Sequence, residues 1–225
     1  MHGRALPIAT GLKVARPEIT TVVVGGDGDG FSIGLGHIPH AVRRNVNLTY
    51  AVLDNGIYGL TKGQASPTTE PEFKHDRGLA GADEQPLNPV MLLLSSGCGF
   101  VARTHAGNLP HLREMFRAAI EYDGFSFVHV LAGCVTYQTP SYADTIYRRC
   151  DLLTEAHDPT DFDQAMRACR GDRFGLGIIY RRPPGTASDL SPKGVQGERA
   201  VWRALDKGVT AAERAPEDTP AGDAG

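Results

Sequence analysis

The chain has 225 residues, 41% of them hydrophobic and 22% charged, enough for one sizeable α/β core with its loops. A formal net charge of −3 supplies no global basic field for nucleic acid or an anionic membrane. The longest apolar runs, such as Val90-Met91-Leu92-Leu93-Leu94, fall well short of the ~20 residues of a membrane span, and Met1-His2-Gly3-Arg4 lacks the apolar stretch of a secretory signal; a cytoplasmic protein without nucleic-acid or membrane partners is expected.

In chain order, His2-Gly3-Arg4-Ala5 leads straight into helix-like sequence with no introductory strand, as though the chain began in mid-domain. Ile19 to Val24 is a β-branched run ending in glycines and reads as a buried parallel strand. Ser32 to Arg44 has helical length, with Ile33, Ala41 and Val42 as candidate inward positions and Pro39 expected to kink it. Val46 to Leu53 is a second strand, followed by a turn-rich loop from Asp54 to about Pro86, longer than ordinary βα connections and therefore a candidate functional loop. Leu112, Met115, Phe116, Ala119 and Ile120 form a 3.6-period stripe that predicts a helix from Leu109 to Tyr122. Phe127 to Leu131 is a further strand, and Arg173 to Tyr180 is read as the last. This alternation implies an α/β fold, a mostly parallel sheet with helices on both faces. Residues 1–182 are expected to form the domain and 183–225 an extension whose end, Ala215 to Gly225, has the composition of a disordered tail.

Gly25-Gly26-Asp27-Gly28-Asp29-Gly30 lies between a strand and a helix, where open α/β sheets bind ligands. Glycines admit a phosphate close to the backbone, and the following helix offers N–H groups to an anion. Carboxylates there would repel a phosphate unless a divalent cation lay between, so Asp27 and Asp29 point to a metal-bridged phosphate. A dinucleotide fingerprint starting at Gly26 fails at Phe31, an EF-hand starting at Asp27 fails at Ser32 and Ile38, and no P-loop Gly-Lys-Ser/Thr is present. A purely structural turn would leave two carboxylates crowded without purpose. After Gly26-Asp27-Gly28, 26 residues (positions 29 to 54) precede Asn55, one helix plus one strand, which returns the chain to the same sheet edge. Asp27 and Asn55 can then share one Mg²⁺ whose octahedron diphosphate oxygens complete. This spacing matches the G-D-G-x(about 26)-N motif of thiamine-diphosphate enzymes.

The stretch Asp54-Asn55-Gly56-Ile57-Tyr58-Gly59-Leu60-Thr61-Lys62-Gly63-Gln64-Ala65-Ser66-Pro67-Thr68 is more specific. With His2-Gly3-Arg4-Ala5-Leu6-Pro7, Phe100-Val101-Ala102-Arg103 and Gly133-Cys134-Val135-Thr136-Tyr137, it resembles the β subunit of 2-oxoacid:ferredoxin oxidoreductases, particularly 2-oxoglutarate synthases, as far as Tyr180. The resemblance implies a thiamine-diphosphate-binding fold and an oxidoreductase active only with an α subunit, which supplies the glutamate that activates the aminopyrimidine. A 2-oxoacid, 2-oxoglutarate before pyruvate, would be decarboxylated, the acyl group passing to coenzyme A and electrons to ferredoxin. Asp27 and Asn55 would bind Mg²⁺ by side chains and Ile57 by its carbonyl; Gly28, Asp29, Tyr58, Gly59 and Thr61 would line the diphosphate, with His2, Gly3 and Arg4 close to the cofactor. Leu60 and Lys62 would lie at the substrate end and count as catalytic; the plainer readings are loop packing for Tyr58 and Leu60 and a solvated charge for Lys62. The alternatives are a non-redox thiamine-diphosphate decarboxylase or synthase module, or a non-catalytic fragment.

Four cysteines occur, none spaced as C-x-x-C, and Cys98, Cys150 and Cys169 read as buried or indifferent thiols. Cys134 matches an iron–sulfur ligand in the resemblance. There, three further cysteines of a [4Fe–4S] cluster lie on an amino-terminal segment of roughly 50 to 60 residues ahead of the His-Gly-Arg stretch. The chain is therefore expected to be a truncated form, a fragment or mis-started reading frame or one that has lost the cluster, and to assemble no cluster by itself.

Overall fold

The computed structural model describes residues 2–71, 84–134, 136–138 and 140–183. The chain divides into a unit spanning Met1–Ser191 and a second, Pro192–Gly225, which lies outside the described residues together with nearly all of the expected extension. The described elements run α1 (Ala5–Ala15), β1 (Val22–Gly26), α2 (Ile38–Arg43), β2 (Leu48–Asp54), β3 (Ile57–Tyr58), β4 (Gln64–Ala65), α3 (Pro89–Ser95), β5 (Phe100–His105), α4 (Leu109–Ile120), β6 (Phe125–Leu131), α5 (Pro140–Arg148), β7 (Cys150–Leu152), α6 (Phe162–Ala168) and β8 (Phe174–Arg181).

Six strands form one sheet in the order β1-β2-β6-β5-β8-β7. The first four are mutually parallel, and β8 runs antiparallel to β5. β3 and β4 make a separate antiparallel hairpin. Because side chains alternate across a strand, β2, β6 and β5 each feed both faces. One face packs Tyr50, Val52, Phe127 and Val101 against Leu6 of α1, Val42 of α2, Leu93 of α3 and Ala165 of α6; the other packs Ala51, Val128 and Ala102 against Met115 and Ala119 of α4. Helices thus pack on both faces, as is usual for a parallel sheet, although Val22 and Val24 of β1 and Leu53 of β2 stay exposed on one of them.

The expected helix from Ser32 to Arg44 is broken into three pieces. Asp29–Ile33 is a π-helical turn, Leu35–His37 a 3₁₀ turn, and only Ile38–Arg43 is α-helical. Pro39 does not kink a longer helix; it occupies the first turn of a new one, where its missing N–H costs nothing. Ala41 and Val42 are buried as expected, whereas Ile33 is exposed because it belongs to the preceding turn. Asn88, Asn108 and Asp161 cap α3, α4 and α6 by accepting backbone N–H bonds.

Candidate functional site

Beyond the end of β1, Asp27 is buried, 2% exposed. Gly26 pairs in register with Leu53 of β2, so the chain does return to the same edge, and Asp27 Oδ1 accepts the Asn55 N–H at 3.4 Å. Asp27 Oδ2 lies 3.1 Å from the Thr68 hydroxyl. Among the described residues no cationic side chain pairs with Asp27. Burial, and after it the charge of Asp54, push its carboxyl up to about 6. A buried carboxylate held by polar groups but lacking a counter-charge fits a divalent cation. Asn55 Oδ1 accepts the Ile57 N–H at 3.1 Å, which fixes the turn and leaves a second lone pair for a metal. Among the described residues no three His, Cys, Asp or Glu side chains gather to hold a metal. Phosphate and water oxygens would therefore complete an octahedron here, as suits Mg²⁺.

Gly28 lies beneath Tyr58, whose hydroxyl donates to the Gly28 carbonyl at 3.2 Å; a Cβ at Gly28 would meet the ring at 2.3 Å. Asp29 turns toward the start of the chain: its Oδ1 accepts the Gly3 N–H at 2.6 Å and lies 3.1 Å from His2 Nδ1. Gly3 has φ +67 and no room for a Cβ against Ile33 and Gly34, so glycine is required there. Arg4 instead reaches His37, at 2.9 Å on the surface. Gly59, Leu60, Thr61 and Lys62 form the turn of the β3–β4 hairpin. Leu60 is 99% exposed, and Lys62 adopts φ +78. The structure therefore brings Asp27, Gly28, Asn55, Ile57 and Tyr58 together, ties His2 and Gly3 to Asp29, and leaves Arg4, Leu60, Thr61 and Lys62 facing outward. Cys134 donates its N–H to Gln138 Oε1 at 2.6 Å, and the Gln138 amide donates to the Asn55 carbonyl, joining the cysteine's loop to the Asn55 turn.

Five buried or half-buried polar residues behind this site carry no sequence-assigned role: Asp54, Thr68, Arg103, His129 and Gln138. Arg103 Nε donates to His129 Nδ1 at 3.1 Å, and His129 Nε2 meets Asp54 Oδ2 at 2.8 Å. A guanidinium has no acceptor, so Nδ1 must be unprotonated and Nε2 must carry the hydrogen. His129 is therefore neutral, in line with burial holding it below its ordinary range. Burial works to raise the Asp54 carboxyl, but the His129 and Thr68 bonds outweigh it and keep it low. Arg103, lowered by burial to about 10, stays cationic at neutral pH. The available signal was a charged or titratable residue inside an otherwise apolar strand, as in Phe127-Val128-His129-Val130-Leu131.

Two families match along the chain: "Thiamine pyrophosphate enzyme, C-terminal TPP binding domain" over residues 1–130, and the C-terminal part of the "Pyruvate ferredoxin oxidoreductase beta subunit" over 134–190. The 2-oxoacid:ferredoxin oxidoreductase subunit beta of Saccharolobus solfataricus is 39% identical over 194 residues, 80% of this chain and 64% of that one. The 2-oxoglutarate synthase subunit KorB of Archaeoglobus fulgidus is 40% identical over 167 residues, 71% of this chain and 62% of that one. This chain thus spans less than two thirds of the length of these relatives. Among solved structures, 2-oxoglutarate:ferredoxin oxidoreductase from Magnetococcus marinus, with 2-oxoglutarate, coenzyme A and succinyl-CoA bound, aligns at TM-score 0.79 and 38% identity, over 96% of this chain and 74% of that one.

Proposed function

The chain belongs to the family of 2-oxoacid:ferredoxin oxidoreductase β subunits, and from that membership we propose that it holds thiamine diphosphate through Mg²⁺ and works with an α subunit. The reaction is the oxidative decarboxylation of a 2-oxoacid, 2-oxoglutarate before pyruvate, with the acyl group passing to coenzyme A and electrons to ferredoxin. The observation that carries the reading is the meeting of Asp27, buried and without a cationic partner among the described residues, with Asn55 across two adjacent parallel strands. The relatives named for 2-oxoglutarate support the substrate. The match of residues 134–190 to a ferredoxin oxidoreductase family favours this over a non-redox thiamine-diphosphate module.

In this reading Asp27, Asn55 and the Ile57 carbonyl ligate the metal, and Gly28, Tyr58, Gly59 and Thr61 line the diphosphate. Asp29 holds the His2-Gly3 segment beside the cofactor, and Leu60 and Lys62 meet the substrate. When bound, the cofactor supplies the nucleophilic carbon and electron sink for decarboxylation, and the protein positions and polarises. The full exposure of Leu60 supports a cleft whose other wall is the partner, as does the bare apolar patch of Val22, Val24 and Leu53 on one face of β1 and β2.

Calorimetry with Mg²⁺ and thiamine diphosphate tests the reading. The parent chain and Glu121→Ala should bind alike, and Asp27→Ala should show no metal-dependent binding. Equal binding by Asp27→Ala and the parent would sink the assignment.

A further inference from the structure

Arg103, His129 and Asp54 lie on three neighbouring strands and point to the same face. Arg103 pairs in register with His129, and Asp54 stands two residues beyond Val52, the residue opposite His129 on the other side. All three are buried, at 2%, 2% and 7% exposure. The hydrogen bonds run one way, from the cation through a neutral imidazole into a carboxylate. Asp54 Oδ1 also accepts the Thr68 hydroxyl at 2.7 Å and the Gly56 N–H at 3.1 Å. Thr68 has one hydroxyl proton and two carboxylates within reach, and the shorter contact, to Asp54, takes it. Its oxygen then stands against Asp27 Oδ2 at 3.1 Å. The row therefore fixes the residue before Asn55, the amide after it, and the side chain that fences Asp27.

Resting on the thiamine-diphosphate reading, we infer that Arg103, His129, Asp54 and Thr68 form a buried strut that holds Asp27 and the Asn55 turn at the spacing of a small cation. They are positioning residues that set both Mg²⁺ affinity and the preference for Mg²⁺ over Ca²⁺. Mg²⁺ demands ligand oxygens at about 2.0–2.1 Å in a near-ideal octahedron, whereas Ca²⁺ accepts about 2.3–2.6 Å and irregular geometry. A stiff cage selects the first and a loosened one admits the second. Outer partners of ligating groups elsewhere are worth about 10- to 100-fold in metal affinity.

The test is calorimetric titration of the full chain with Mg²⁺ or Ca²⁺ at saturating thiamine diphosphate, for the parent, Thr68→Val, His129→Leu and His129→Gln. Thr68→Val and His129→Leu should weaken Mg²⁺ about 10- to 100-fold and Ca²⁺ much less, so the Mg²⁺/Ca²⁺ ratio falls. His129→Gln keeps one acceptor and one donor and should recover most of the ratio. A merely structural role would lower the melting temperature and leave the ratio alone. If His129→Leu does not fold, Thr68→Val, half-buried and outside the sheet, decides alone. A folded Thr68→Val with the parent's ratio overturns the strut while the cofactor reading stands. A parent chain that binds no Mg²⁺ with the cofactor overturns both.

Discussion

Replacing Asp27 by asparagine should stabilise the metal-free protein while abolishing its metal binding. The carboxyl is pushed from 3.8 to about 6, first by burial and then by the Asp54 charge. At about 1.4 kcal/mol for each tenfold change in proton affinity, that rise puts the cost of keeping Asp27 ionised in the fold at about 3 kcal/mol. Asparagine is isosteric and uncharged, and its amide can donate to the Thr68 oxygen. It offers one acceptor oxygen where the carboxylate has two, a loss of about 1 kcal/mol. A net gain of about 2 kcal/mol at pH 8 follows. The sign with pH is fixed by linkage. Between about pH 4 and 6 the native state binds more protons at Asp27 than the unfolded state, so this group's contribution to stability falls as pH rises. The advantage of Asp27→Asn should be largest at pH 8 and nearly gone at pH 4. Urea unfolding of both proteins in chelator at the two pH values measures it. Saturating Mg²⁺ and thiamine diphosphate should reverse the order at pH 8, since only the parent gains from ligand binding. An Asp27→Asn protein less stable than the parent at pH 8, or a gap of the same size at both pH values, would refute the reasoning.

Gly28→Ala should destabilise by about 1–3 kcal/mol, because its Cβ would stand 2.3 Å from the Tyr58 ring in an otherwise allowed backbone conformation. Adding Tyr58→Ala should return part of that loss, and unchanged urea midpoints for Gly28→Ala would contradict the packing. Anaerobic incubation with iron and sulfide should give the chain no stable [4Fe–4S] cluster. Cys134 is half-buried on its loop, and Cys98 is buried in the core with its thiol pushed up to about 12 by desolvation, a poor thiolate. Near-stoichiometric bound iron and sulfide, with a reduced-cluster paramagnetic signal, would overturn this.

The sheet and the return of the chain to its edge at Asn55 were legible because each rests on local pattern: a β-branched run ending in glycines for β1, the Leu112 to Ile120 stripe for α4, and the spacing between Asp27 and Asn55. Shorter elements were not. Val90 to Leu94 was visible only as an apolar run, although it forms α3 behind an Asn88 cap and Pro89. The antiparallel direction of β8 is set by what it packs beside, not by its own residues. The meeting of Asp27 with Asn55 was readable from their spacing, but the Arg103–His129–Asp54 row was hidden. Its members lie 26 and 75 residues apart along the chain, and nothing in a single strand announces which neighbour completes a buried charge.

The β3–β4 hairpin also bears on how a protein of this kind evolves. Leu60, Thr61 and Lys62 sit on a turn held, among the described residues, by two strand pairings and the backbone bonds Lys62 N–H to Gly59 O and Gly63 N–H to Tyr58 O. Exposed side chains there carry little folding energy, so most replacements at Leu60 and Lys62 fall within about 0.5 kcal/mol. Mutational freedom is thus concentrated at the positions proposed to meet the substrate. Asp27 and Gly28, proposed to hold the metal and the diphosphate, are by contrast buried. A lineage, or a laboratory library randomised at Leu60 and Lys62, can explore new 2-oxoacids without drawing on the stability reserve of the domain.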